Sequence, residues 1–164
     1  MANQTVAEIR GPEPRIDLRW LWAEHIATLL SGGFLCGVIF WGHVVDELGV
    51  LLIVAAPYVS ILVFLSVRPL MKTAHGIALV VSPMALVLDC FLITFGLIEA
   101  ALGSHPTPWP LISATLTAIF QLSLLTISGR MYLRQHGSRG GVWAFVMLGI
   151  VLSAILCVVA YINK

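Results

Sequence analysis

Five stretches of this chain are long, apolar and almost free of charge: residues 26–45, 48–67, 76–102, 109–129 and 142–162. A helix needs about 20 apolar residues to cross a hydrocarbon layer about 30 Å thick, and each stretch meets that requirement. Once in lipid, the backbone finds no water to satisfy its N–H and C=O groups, so it must satisfy them internally. The expected fold is therefore all-α: a polytopic membrane protein built as a bundle of five transmembrane helices. Composition closes the other routes. Of 164 residues, 59% are hydrophobic and 10% charged, whereas a soluble domain carries about 25% charge and 45–50% apolar residues. Surface-to-volume scaling gives a small soluble fold nowhere to hide that much apolar area. A soluble globular domain and a disordered chain are both excluded. A net charge of +1 supplies no field for DNA or RNA, so no nucleic-acid partner is expected.

The breaks between the stretches have local causes. Asp46-Glu47 makes a short charged corner. Arg68-Pro69 stops the second stretch, because proline lacks an N–H and disfavours helix before it. Pro106, Pro108 and Pro110 stiffen the loop after the third, and Gly137, Gly140 and Gly141 punctuate the approach to the fifth. No internal repeat is visible, so an inverted-repeat transporter is not supported.

Basic residues set the expected orientation. With the N-terminus in the cytoplasm, Arg10, Arg15, Arg19, Arg68, Lys72, Arg130, Arg134 and Arg139 all fall on the cytoplasmic side. Only Lys164 falls outside, as the positive-inside rule requires for short loops. The C-terminus is then external, and the location expected is the inner (plasma) membrane, crossed several times. Residues 1–25 read as a cytoplasmic N-terminal arm with an interfacial segment, and 26–162 as one transmembrane helical domain. The arm is polar, and the apolar run after it is too long for a signal peptide, so it is expected to stay. Trp20, Trp22 and Trp143 mark the inner boundary; Trp41 and Trp109 mark the outer one, where indoles find both apolar contact and a hydrogen-bond partner.

Few residues inside the stretches can carry chemistry. Asp89 lies at the midpoint of the third, about 20 Å of helix from either end. A charge at that depth costs about 2.5–3.5 kcal/mol on insertion scales. Away from water a carboxyl favours its neutral, proton-carrying form, which suits proton transfer. The competing reading is a structural hydrogen bond, with Tyr58 and Gln121 as expected partners at similar depth. Glu99 lies about 80° around the same helix and nearer the outer surface. It reads either as part of a polar path with Asp89 or as a residue reaching the headgroups. Gly33-x-x-x-Gly37 in the first stretch, and Gly96 in the third, read as small-residue faces for close helix packing within the chain or between chains. Pro57 and Pro83 can kink their helices.

The histidines lie at span boundaries. His25 with His75 is the pair best placed for bis-histidine ligation of a b-type haem, though plain interfacial histidines explain them as well. No cofactor is required by the sequence, and no metal site is expected. Cys36, Cys90 and Cys157 are scattered in apolar runs without a C-x-x-C pair. No P-loop, G-x-S-x-G elbow, H-E-x-x-H motif or intramembrane lysine is present, so no catalytic residue is assigned and the balance leans away from an enzyme.

Small size, little extramembrane mass and small-residue faces point first to a non-catalytic accessory or assembly subunit of a larger membrane complex. Its expected partners are the lipid bilayer and other membrane subunits, or further copies of itself. The second reading is a small oligomeric proton-coupled transporter or channel using Asp89. The third is a redox subunit binding haem or quinone through the boundary histidines.

Overall fold

The computed structural model describes residues 17–41, 48–67, 72–102 and 109–162. Its elements are five α-helices: α1 Leu18–Trp41, α2 Leu48–Val67, α3 Lys72–Ala101, α4 Trp109–His136 and α5 Arg139–Ile162. Four of them are long and apolar enough to cross a membrane, over Leu18–Phe40, Thr73–Ile98, Leu111–His136 and Arg139–Val159. The apolar part of α2, Leu51–Val67, is shorter. The charged corner at Asp46-Glu47, the Arg68-Pro69 stop, the loop 103–108 with His105, and His43 lie outside the described residues.

Helix ends follow local chemistry. Asp17 caps α1: its Oδ1 accepts the Arg19 N–H at 3.3 Å and its carbonyl accepts the Leu21 N–H at 3.1 Å. The helix therefore begins at Leu18 rather than at residue 26. The apolar window alone misplaced this start, because Glu24 and His25 interrupt the hydropathy without interrupting the helix. At the other end of the fold, α4 and α5 are joined by only Gly137 and Ser138. Gly137 adopts φ +66° and donates its N–H to the Leu133 carbonyl at 2.8 Å, which ends α4. Ser138 then accepts the Gly141 N–H at 3.1 Å and caps α5. Pro57 and Pro83 both sit within continuous helices.

The helices α1, α2, α3 and α4 pack in sequence around a common axis, with α4 returning against α1. The most extensive contact is between α3 and α4, and α5 lies outside the ring, chiefly against α3. Two glycines fix that outer contact. A Cβ on Gly76 would meet the Phe145 ring at 3.1 Å, and one on Gly149 would run into the Val80 carbonyl oxygen. Gly149→Ala is therefore expected to push α5 away from α3 and cost about 1–3 kcal/mol, the usual range for overpacking against an unyielding neighbour. Detergent unfolding monitored by circular dichroism measures it, with Gly33→Ala as the control expected to stay within about 0.5 kcal/mol.

The distribution of side chains is inverted relative to a water-soluble bundle. Phe40, Leu52, Ile53, Phe91, Phe95, Leu156 and many other large apolar residues are exposed. Glu24, Thr28, Ser31, His75, Ser82, Asp89, Thr117, Gln121 and Ser128 are fully buried. Water as solvent would penalise both halves of that arrangement. A hydrocarbon solvent favours it, since apolar side chains meet lipid and polar ones meet each other.

Candidate functional site

The polar residues that are buried, with the half-buried Gln135, recur at a regular interval. On α3 they are His75, Ser82 and Asp89; on α4, Gln121, Ser128 and Gln135; on α1, Glu24 and Ser31. Each step is seven residues, which returns a helix to nearly the same face after about 10.5 Å. Because α4 runs opposite to α1 and α3, its residues match theirs in reverse order. The result is a polar seam along the axis of the α1–α4 ring, arranged in layers.

The layer nearest the α4–α5 turn is the most connected. Glu24 is completely buried. Its Oε1 accepts a hydrogen bond from Ser128 Oγ at 2.7 Å and faces His75 Nδ1 at 2.9 Å. The other ring nitrogen, His75 Nε2, faces Gln135 Oε1 at 3.0 Å. Both ring nitrogens face oxygens, an arrangement that a ring protonated at both positions would satisfy. A half-turn of the Gln135 amide would present NH₂ to Nε2 instead and suit a neutral ring. The same four side chains thus accommodate the dyad with or without its charges. Thr28 Oγ1 donates to the Glu24 carbonyl at 2.7 Å, which uses a hydroxyl that would otherwise be orphaned one turn along.

About 10.5 Å further along the axis, Gln121 Nε2 donates to Tyr58 Oη at 2.6 Å, both groups being buried. Gly32 makes room for that tyrosine, since a Cβ there would lie 2.8 Å from Tyr58 Cγ. The hydroxyls of Ser31 and Ser82 occupy the same level of the helices and are buried without a hydrogen-bond partner among the described residues. So is Gln121 Oε1.

Asp89 forms the third layer, one further step along α3. It is fully buried, and neither carboxylate oxygen has a hydrogen-bond partner among the described residues. Tyr58 and Gln121, its expected partners, bond to each other instead. An ionised carboxylate so placed, with no cation beside it, costs several kcal/mol; a neutral acid costs far less.

The remaining sequence candidates are placed as follows. Glu99 is within α3, but its side chain lies outside the described residues. Gly33 and Gly37 have open space where a Cβ would be, and Gly96 meets only Leu111 Cδ1 at 3.7 Å, so the tight approach on α1 belongs to Gly32. His25 turns away from the seam: its Nδ1 is 2.9 Å from the Leu21 carbonyl and its Nε2 is 3.3 Å from Ser66 Oγ on α2. Iron ligation by His25 or His75 would displace one of these contacts. No group of three or more His, Cys, Asp or Glu able to hold a metal occurs among the described residues. A groove of about 380 Å³ between α3 and α5, lined by Thr73, Gly76, Ile77, Val80, Val81 and Phe145, has no titratable group in its wall.

Sequence reasoning missed Glu24, Ser128 and Gln135. The signal was available in the seven-residue spacing of the polar positions on three helices, which a hydropathy window averages away.

No protein-family model, curated protein or solved structure matches this chain.

Proposed function

We propose that the chain is a multi-pass inner-membrane protein that conducts protons along the α1–α3–α4 seam, between the Glu24–His75 dyad at the cytoplasmic end and Asp89 deeper in the membrane. In this reading all five helices span: at 20 residues, α2 is about 30 Å long and matches the hydrocarbon thickness. The N-terminus is cytoplasmic and the C-terminus external, as the basic residues favour.

The observation that carries the proposal is the coincidence of two buried ionisable centres on one line of polar side chains. Intramembrane Asp, Glu and His residues are expensive and mark proton paths when they face a bundle interior. From His75 to Asp89 the distance along α3 is about 21 Å. The hydroxyls and amides of Ser82, Ser31, Gln121 and Tyr58 divide it, and several of their oxygens have bonding capacity to spare. Single waters bridging such groups at hydrogen-bond length are ordinary components of protein interiors. A proton arriving at the dyad is held by a pair that tolerates both charge states. Asp89 takes it in the form that its surroundings tolerate best.

The test is reconstitution in liposomes carrying an internal pH dye, with a potassium gradient and valinomycin setting the potential. The wild-type protein is expected to acidify the lumen faster than empty liposomes. Asp89→Asn keeps the size of the side chain but cannot exchange a proton, and is expected to lower the flux at least tenfold. Unchanged flux in Asp89→Asn would remove the proposal.

One observation favours the accessory-subunit reading as well. Gly33 and Gly37 present small-residue positions that nothing among the described residues occupies, which is the kind of surface another membrane helix packs against. Native electrophoresis in mild detergent separates the cases: migration as a lone chain argues against a partner on that face.

A further inference from the structure

At the end of the bundle that holds the dyad, Trp20 of α1 stands beside two guanidinium groups of α4. Arg130 Cζ is 5.4 Å from the centre of the indole ring and Arg134 Cζ is 5.5 Å from it. Both arginines are exposed. Arg134 also donates to Asp17 Oδ2 at 2.9 Å, across a pair that is itself largely open to solvent. The anchor is therefore built from both helices: Asp17 and Trp20 from α1, Arg130 and Arg134 from α4. Arg19, two residues after Asp17, is also exposed. Among the described residues, two guanidinium groups against one carboxylate leave this corner positive.

The position along the helices decides what such a corner meets. The apolar run of α1 begins at Leu18 and that of α4 ends at His136. Trp20 and Arg134 thus sit where the helices leave the hydrocarbon and enter the headgroup layer. Trp22, one step further along α1, is also exposed at the level where indoles favour the interface. A guanidinium offers a phosphate diester two parallel N–H donors, and an adjacent indole holds the cation by its ring face while leaving those donors free. Arg130 has the ring contact but no carboxylate partner among the described ion pairs.

We infer that Arg130 and Arg134, held on the Trp20 ring, bind the phosphate of an anionic phospholipid at the membrane surface. The site depends on the chain lying in a membrane but not on the seam's conducting protons. Asp17 sets its limit: it orients Arg134 and neutralises part of the charge, so that Arg130 supplies most of the free donors.

The experiment is native mass spectrometry of the purified protein released from nanodiscs of phosphatidylglycerol mixed equally with phosphatidylcholine. The wild-type protein is expected to retain phosphatidylglycerol preferentially. Each guanidinium in direct contact with the phosphate is expected to carry roughly a fivefold preference, so the double variant Arg130→Gln with Arg134→Gln is expected to lose about thirtyfold. Arg139→Gln removes a basic residue from the same end without touching the indole and is expected to change retention less than twofold. Equal loss in Arg139→Gln and in the double variant would reduce the effect to general surface potential and overturn the site. So would equal retention of the two lipids by the wild type. Because these arginines are exposed, the variants are expected to fold, and circular dichroism verifies it. Inorganic phosphate at millimolar concentration is expected not to displace the lipid; displacement would assign the site to a free anion instead.

Discussion

Replacing His75 with alanine is expected to destabilise the fold by about 3–5 kcal/mol, the cost of stripping one partner from a buried ion pair. The residue has no exposure, and neither has Glu24. Without the imidazole, the Glu24 carboxylate keeps the Ser128 hydroxyl but loses the opposite charge. The Gln135 amide loses the ring nitrogen it faces. Replacing both members of the pair by leucine is expected to recover most of the loss, because two apolar groups of similar size need neither desolvation nor partners. Unfolding with increasing sodium dodecyl sulfate, followed by helical circular dichroism, measures both. A single variant that costs less than about 1 kcal/mol would mean that the pair is not buried as described. The size of the rescue, relative to the two single losses, reports the coupling directly.

The second large effect separates structure from chemistry at the same place. In Glu24→Gln the amide oxygen still accepts from Ser128 and from His75, and the side-chain volume is unchanged. The fold is expected to lose about 1–2 kcal/mol, from weakening of two charge-assisted bonds. Proton flux in liposomes is expected to fall about 100-fold, since a residue that can no longer take up and release a proton forfeits acid–base transfer altogether. A merely structural Glu24 would show the stability change without the flux change. Together with Asp89→Asn, this variant tests the seam at both of its ionisable ends. Unchanged flux in Asp89→Asn would remove the proposal whatever Glu24→Gln does; loss in Asp89→Asn alone would take the dyad out of the path.

The small cost that lipid imposes on exposed apolar residues explains why so much of the architecture was legible early. A hydrocarbon solvent constrains each helix independently of its neighbours: it needs enough length, enough hydropathy and polar residues at its ends. Those requirements are written in consecutive residues, so α2 and the apolar bodies of α3, α4 and α5 follow from the sequence read in order, although α3 begins four residues before the expected 76 and α4 runs seven residues past the expected 129, to His136. The start of α1 did not, because Glu24 and His25 look like an interface when hydropathy is averaged. Glu24 is buried inside a helix with one carboxylate oxygen, Oε1, met by His75 and Ser128 from helices about 50 and 100 residues away in the chain, while Oε2 has no partner among the described residues. Asp89 makes no hydrogen bond to Tyr58 or Gln121 among the described residues, and those two bond to each other; similar depth places side chains near one level without fixing which of them bond.

Packing of the glycines makes the same distinction. Gly32, Gly33 and Gly37 are all small, and nothing local ranks them. Tyr58 of α2 selects Gly32, and Gly33 and Gly37 are left facing outward.

The sequence by itself determined that the chain is helical, that it holds several helices long and apolar enough to cross a membrane, and that a carboxyl lies midway along the third apolar stretch, because these depend on runs of neighbouring residues. Only the tertiary structure decided that Glu24, His75, Ser128 and Gln135 meet, that Asp89 has no hydrogen-bond partner among the described residues, and that two arginines share one indole. Those outcomes depend on the angular register of helices far apart in the chain, which is fixed by mutual packing and not by any one segment.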